Sequence, residues 1–319
     1  DFDVEIESAI LTYAETGQIL FAKNINKKLP PASITKIMTL LLTMEELEKG
    51  TITLEDEVTV SKYAESMGGS QIFLKAGTRI KIKNLLKAVT IASANDASVA
   101  LAESIAGTYG NFVDWMNEKA DKLGMKNTHF VNSTGLPDEH GQHYTTVSDI
   151  SIMVKELVKH EKVLEWASIW VDYIQLPERR AMLVNTNKLI KNYPGIDGLK
   201  TGHTKEAGYC LAATAKRNNT RLISVIMKAQ TEKEREEQTA RLLDYGFNAF
   251  SREKVIAKND QVHNIEIPNG KKTTTTAIAE SDLFILIKRG SKETVEKNIK
   301  IKEELMARIE KGNIIGKEV

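Results

Sequence analysis

From Leu29 to Met44 the chain carries a single charged side chain, Lys36, and that run constrains the fold more than any other. Pro30 and Pro31 cannot easily continue a helix, whereas Ile34 to Leu47 is apolar at helical spacing, so a helix begins at or beside Ser33. Lys36 follows Ser33 by three residues and shares its helix face. Apolar surroundings and the positive end of the helix dipole both push an amine there toward its neutral form. A neutral Lys36 can take the Ser33 proton. The plainer alternative is a buried helix whose lysine snorkels to solvent and whose serine is an N-cap.

Two further segments bear on that choice. In Ile91-Ala92-Ser93-Ala94-Asn95-Asp96-Ala97-Ser98, polar residues interrupt small apolar ones. Alone, this is a loop or cap between helices over Ile82 to Ala92 and Ala97 to Ala106. Lys200-Thr201-Gly202 follows Gly195-Ile196-Asp197-Gly198-Leu199 and precedes His203-Thr204. Alone, it is a turn leading into a strand. In the order Ser-x-x-Lys, Ser-x-Asn, Lys-Thr-Gly, the three pieces match the motif set of penicillin-binding proteins and serine β-lactamases.

The match extends beyond these motifs. Pro31-Ala32-Ser33-Ile34-Thr35-Lys36, Ile91 to Asp96, Asn132-Ser133-Thr134-Gly135-Leu136-Pro137 and Asp197 to Thr204 together resemble the low-molecular-mass penicillin-binding proteins, the D-alanyl-D-alanine carboxypeptidases of peptidase family S11. The resemblance covers roughly residues 5 to 250. It implies a bacterial enzyme that removes the terminal D-alanine from peptidoglycan stem pentapeptides and is acylated by penicillins. It also implies export, with the membrane surface as a partner. Family members usually end in an amphipathic helix lying on the membrane, whereas Gly312 to Val319 reads as turn and strand, so the expectation is a chain that stops short of its natural end.

At 319 residues the chain is long for one domain and comfortable for two. Its 44 Lys and Arg nearly cancel its 43 Asp and Glu, which argues against a nucleic-acid partner, since that would need a clustered basic face. The single Cys210 excludes an intrachain disulfide framework and reads as a buried strand residue. No run approaches the ~18 apolar residues of a membrane span.

Residues 4 to 23 alternate around a turn at Thr16-Gly17 and read as a β-hairpin. From Ser33 to about Trp170 the chain reads as mainly helical. Strands follow over Gly208 to Lys216 and Arg221 to Lys228, joined by Asn218-Asn219-Thr220, and then a charged helix from Glu232 to about Asn248. Two hairpins sharing one antiparallel sheet, packed by the first and last helices, give an α+β sandwich with an all-helical insertion. That is the penicillin-binding-protein and serine β-lactamase architecture the resemblance implies, over residues 1–250. Residues 251–319 read as a small β-rich domain, with pieces His263 to Ile267, Thr273 to Ala279 and Leu283 to Ile287 and a turn at Pro268-Asn269-Gly270.

The implied chemistry assigns Ser33 as nucleophile and Lys36 as its base, with Ser93 relaying a proton to the departing D-alanine. Asn95 is expected to bind the substrate amide and Lys36. The Lys200-Thr201-Gly202 strand is expected to pair with the substrate backbone, Gly202 leaving the approach unobstructed. Lys200 and Thr201 engage the free carboxylate, helped by Arg235, which a charged helix face explains equally well. The backbone N–H groups of Ser33 and His203 form the oxyanion hole.

No cofactor or metal is implied. His140-Gly141-Gln142-His143 sits in a loop without the His-Glu-x-x-His pattern, and His203 has no recognisable acidic partner for a triad. Two rivals remain open at this stage. One is a serine β-lactamase, although no Glu-x-x-Leu-Asn run is present; the other is a non-catalytic module that binds peptidoglycan or β-lactams.

Overall fold

The computed structural model describes residues 2–137, 139–140, 142–266, 274–291, 298–301 and 316–318. It divides into two compact units, Asp1–Phe247 and Asn248–Val319.

The first unit is built on a five-stranded sheet in the order Ile19–Lys23, Ser8–Tyr13, Thr220–Ala229, Gly208–Arg217, Ile196–Thr204. Every neighbouring pair is antiparallel. The hairpin expected at the N-terminus and the one turning at Asn218-Asn219 are both present, the second with φ of +46° and +62° at those asparagines, as a tight turn of this hand requires. Pairing of Ser8–Tyr13 with Thr220–Ala229 joins the two ends of the domain in one sheet.

Strand alternation divides the apolar side chains into two layers. Ile10, Cys210, Ala212, Ile223 and Val225 join the core shared with the helical block. Ala9, Leu11, Leu211, Ala213 and Ile226 are buried on the opposite face, where the Glu232–Ala249 helix packs closely enough that a Cβ on Gly246 would meet Leu222 at 2.5 Å and Leu11 at 2.8 Å. The register places Lys200 opposite Ala212 and Gly202 opposite Cys210, so both look toward the helical block.

That block contains the helices Lys36–Lys49, Ile82–Ala92, Asn95–Ala106, Tyr109–Leu123, Val147–Leu157 and Glu161–Ala167. The first opens on a 3₁₀ turn over Ala32–Thr35 and closes at Gly50, whose φ of +73° suits the left-handed cap. Ile37, Met38, Leu40 and Leu41 are wholly buried, each contributing roughly 1.5–3 kcal/mol, and the same enclosure strips water from Lys36. Two short ribbons, Glu57–Thr59 with Arg79–Lys81 and Val171–Gln175 with Arg180–Val184, were not anticipated. The strand expected at Lys-Thr-Gly is nine residues long, Ile196–Thr204, and lies at the sheet edge.

In the second unit Phe250–Ile256 pairs with Leu283–Lys288, Gln261–Glu266 with Thr274–Ile278, and Ile299–Ile301 with Gly316–Glu318, all antiparallel. The Pro268-Asn269-Gly270 turn, Ile267, Thr273 and the turn foreseen from Gly312 lie outside the described residues, as does Gly141.

Candidate active site

The 3₁₀ turn and the helix behind it place Ser33 Oγ 2.8 Å from Lys36 Nζ. Lys36 is wholly buried and also donates to the Thr134 carbonyl at 2.7 Å. Burial holds its ammonium well below the ordinary lysine range, the nearby Lys200 charge pushes in the same direction, and Asp96 opposes them. A neutral amine in this position has one N–H for Thr134 and a lone pair for the Ser33 proton. Asp96 is itself engaged by the backbone N–H groups of Ile72, Leu74 and Ala97.

Thr134 is aimed by a chain of contacts. Asn132 Oδ1 accepts the N–H groups of Thr134 at 3.1 Å and Gly135 at 2.7 Å, folding the segment into a tight turn. The Ser133 carbonyl accepts from Thr39 Oγ1 at 2.9 Å and from Ser98 Oγ at 2.8 Å, which ties the turn to two helices. Gly135 has φ of +80°, and a Cβ there would meet the Ala32 carbonyl oxygen at 1.7 Å. Only glycine allows this turn to press against the residue before Ser33.

On the other side of the nucleophile, a Cβ on Gly202 would meet Pro31 O at 2.9 Å and Ile34 Cγ1 at 3.2 Å. The missing side chain therefore serves contact with the Ser33 turn, a reason distinct from the expected clearance for substrate. Lys200 is 1% exposed, and burial lowers its pKa to about 7, with the Arg235 charge adding to the effect. Thr201 donates through Oγ1 to Thr186 Oγ1 at 2.6 Å. His203 stacks on Tyr209 with ring centroids 4.0 Å apart.

Ser93 caps the Ile82–Ala92 helix with φ of +60°, a conformation costly for a non-glycine residue and concentrated at functional sites. Among the described residues its hydroxyl has no hydrogen bond. Asn95 corrects an expectation: its Nδ2 donates to the Gly68 carbonyl at 2.7 Å instead of meeting Lys36, and its Oδ1 is buried without a partner. The loop carrying Gly68 has drawn the amide away from the lysine.

Arg235 is not an exposed helix-face charge. It is 3% exposed, donates through Nη2 to Glu232 at 3.1 Å, leaves Nε without a partner and lies over the Tyr209 ring.

Several contributors escaped the sequence reading. The Thr134 carbonyl is a backbone group and carries no side-chain signal, although the Asn132 to Pro137 segment was already part of the resemblance. Asp96 directly follows Asn95. His143 is buried, accepts the Val131 N–H through Nδ1 at 3.1 Å, and so donates through Nε2 to Thr35 Oγ1 at 2.7 Å. It holds Thr35, one of the two residues between nucleophile and base.

A family model described as D-alanyl-D-alanine carboxypeptidase matches residues 1–231, and one described as penicillin-binding protein 5, C-terminal domain, matches residues 250–318. The chain is 45% identical over 314 residues to D-alanyl-D-alanine carboxypeptidase DacF of Bacillus subtilis, spanning 98% of this chain and 80% of that protein. Penicillin-binding protein 5 of Haemophilus influenzae superposes with a TM-score of 0.84 at 32% identity, over 100% of this chain and 93% of that one. Penicillin-binding protein D2 of Listeria monocytogenes, solved in its ampicillin-bound form, superposes with a TM-score of 0.67 at 31% identity, over 78% and 100% of the two chains.

Proposed function

The chain belongs to the D-alanyl-D-alanine carboxypeptidase family, and from that premise we propose that it removes the terminal D-alanine of peptidoglycan stem pentapeptides through an acyl-enzyme on Ser33. The observation that carries this reading is the Ser33 Oγ to Lys36 Nζ distance of 2.8 Å in a buried site that pushes the lysine toward its neutral form.

In the proposed reaction Lys36 takes the Ser33 proton as Oγ attacks the carbonyl of the penultimate D-alanine. The oxyanion is received by the N–H groups of Ser33 and His203. As the C–N bond breaks, Ser93 passes a proton to the leaving amine, Lys36 being its source. Water then attacks the ester with Lys36 again as base, and Ser33 recovers its proton. Lys200, Thr201 and Arg235 hold the terminal carboxylate, while Asn95 offers its unpartnered Oδ1 to the substrate amide N–H. The Lys-Thr-Gly segment lies on an edge strand, which suits pairing with an extended peptide.

The same assignment covers acylation by β-lactams, which present an amide carbonyl and a carboxylate together. It also covers place of work, on the outer face of the cytoplasmic membrane, where the peptidoglycan substrate lies. The β-lactamase alternative is disfavoured because the sequence has no Glu-x-x-Leu-Asn run of the kind that supplies a class A enzyme's deacylating acid.

Release of D-alanine from a peptide ending in D-Ala-D-Ala, compared with the same peptide amidated at its C-terminus, tests the reading. Most of the rate should vanish on amidation. Equal turnover of the two peptides would point to an endopeptidase or esterase.

A further inference from the structure

Ser133 is wholly buried, and side chains hold each of its polar groups. Its carbonyl accepts from Thr39 Oγ1 at 2.9 Å and from Ser98 Oγ at 2.8 Å. Its N–H donates to the phenol oxygen of Tyr109 at 2.9 Å, and the Tyr109 and Ser133 hydroxyls lie 3.2 Å apart in a second hydrogen bond. Thr39, Ser98 and Tyr109 belong to three different helices, Lys36–Lys49, Asn95–Ala106 and Tyr109–Leu123.

Tyr109 is itself well anchored. It is the first residue of its helix, next to the Thr108 cap, whose hydroxyl accepts the Asn111 N–H at 3.2 Å. Tyr63 packs edge-on against its ring with centroids 5.1 Å apart. Burial holds the phenol above its ordinary range, so at neutral pH the hydroxyl keeps its proton and can serve both contacts.

The two ends of Ser133 are thus pinned separately, the carbonyl by Thr39 and Ser98 and the amide by Tyr109. One residue further on, the Thr134 carbonyl meets Lys36 Nζ at 2.7 Å. Without the phenol a buried N–H would be left unpaired, at a cost that drives it to seek another acceptor. Ser133 would turn about its pinned carbonyl, and Thr134 would turn with it. Displacements of about 1 Å in such a relay are enough to slow a reaction severely.

We infer that Tyr109 is a positioning residue for acylation, acting through Ser133 and Thr134 to hold the Lys36 amine in line with Ser33. The inference rests on the reading of Lys36 as the base for Ser33 and extends it to a side chain that carries no motif signal.

The test follows acylation of the whole chain over a range of benzylpenicillin concentrations, which separates the dissociation constant of the first complex from the rate constant of bond formation. Tyr109→Phe keeps the ring against Tyr63 and removes both hydrogen bonds. Its rate constant should fall about tenfold, or about 1.4 kcal/mol, while the dissociation constant stays within about twofold of wild type. Ser133→Ala, which loses the hydroxyl contact and keeps the N–H, should lie between the two. Thr108→Ala weakens the cap of the same helix without touching Ser133, so it should lower the melting temperature and leave acylation unchanged. All rates are taken at a temperature where melting curves show every variant folded. An unchanged rate constant in Tyr109→Phe, a loss confined to the dissociation constant, or an equal slowing in Thr108→Ala would overturn the positioning role and leave the carboxypeptidase reading intact. A folded wild type that forms no acyl-enzyme would overturn both.

Discussion

The carbonyl oxygen of Thr134 accepts a hydrogen bond from Lys36 at 2.7 Å, across 98 positions of sequence. This contact fixes the direction of the amine. With one N–H committed to Thr134, the remaining lone pair of a neutral Lys36 is turned toward Ser33, so the pair is ordered before substrate arrives.

Lys36→Arg should therefore fold and fail to acylate. Guanidinium keeps its proton at neutral pH and has no lone pair to offer. Acylation kinetics with benzylpenicillin and a melting curve check this together, and a variant acylating within about threefold of wild type would reduce Lys36 to a bystander charge.

Lys200 makes a prediction about stability. Its folded pKa is about 7 against an ordinary 10.5, so between those values the unfolded chain binds more protons and stability rises with pH. Below about pH 7 both states are protonated and the full cost of burying the ammonium is present. Lys200→Met should accordingly be more stable than wild type at pH 6, by about 2–4 kcal/mol, with the gap closing toward pH 10.5. Denaturant titrations at several pH values measure it, and a gap independent of pH would contradict the assignment. The variant should also lose most of its turnover of carboxylate-bearing peptides.

Much of this site was legible in the sequence because it is written in side chains at short spacing. Ser33 and Lys36 are one helical turn apart, and the break at Ser93 interrupts an apolar run. The hairpins announced themselves by alternation and by Asn218-Asn219. What was not legible depends on long-range packing. The Thr134 carbonyl, the His143 hydrogen bond to Thr35, and the diversion of Asn95 to Gly68 each join segments far apart in the chain. Arg235 resembled a surface charge because its helix is rich in glutamate, and only the fold shows it buried.

Gly135→Ala should be among the most damaging small substitutions. Its Cβ would sit 1.7 Å from Ala32 O at a φ of +80°, so the Thr134 turn or the Ser33 turn must move. A loss of more than about 3 kcal/mol, or of acylation, is expected. Gly50→Ala, at φ of +73° but in open space, should cost about 1 kcal/mol and spare acylation. Equal effects at the two positions would contradict the close approach.

The C-terminal unit should be dispensable for chemistry. Every residue assigned a role lies within Asp1–Phe247, so a chain ending at Phe250 should acylate at close to the full rate if circular dichroism and melting show it folded. A folded truncation acylating more than about a hundredfold slower, roughly 2.7 kcal/mol of transition-state stabilisation, would mean that the second unit shapes the site.

The central claim is that Ser33 is the nucleophile, and mass spectrometry of the protein incubated with benzylpenicillin tests it most directly. One covalent equivalent should appear and persist, peptide mapping should place it on Ser33, and Ser33→Ala should abolish it. An adduct on Ser93, or no adduct at all on a folded protein, would contradict the account.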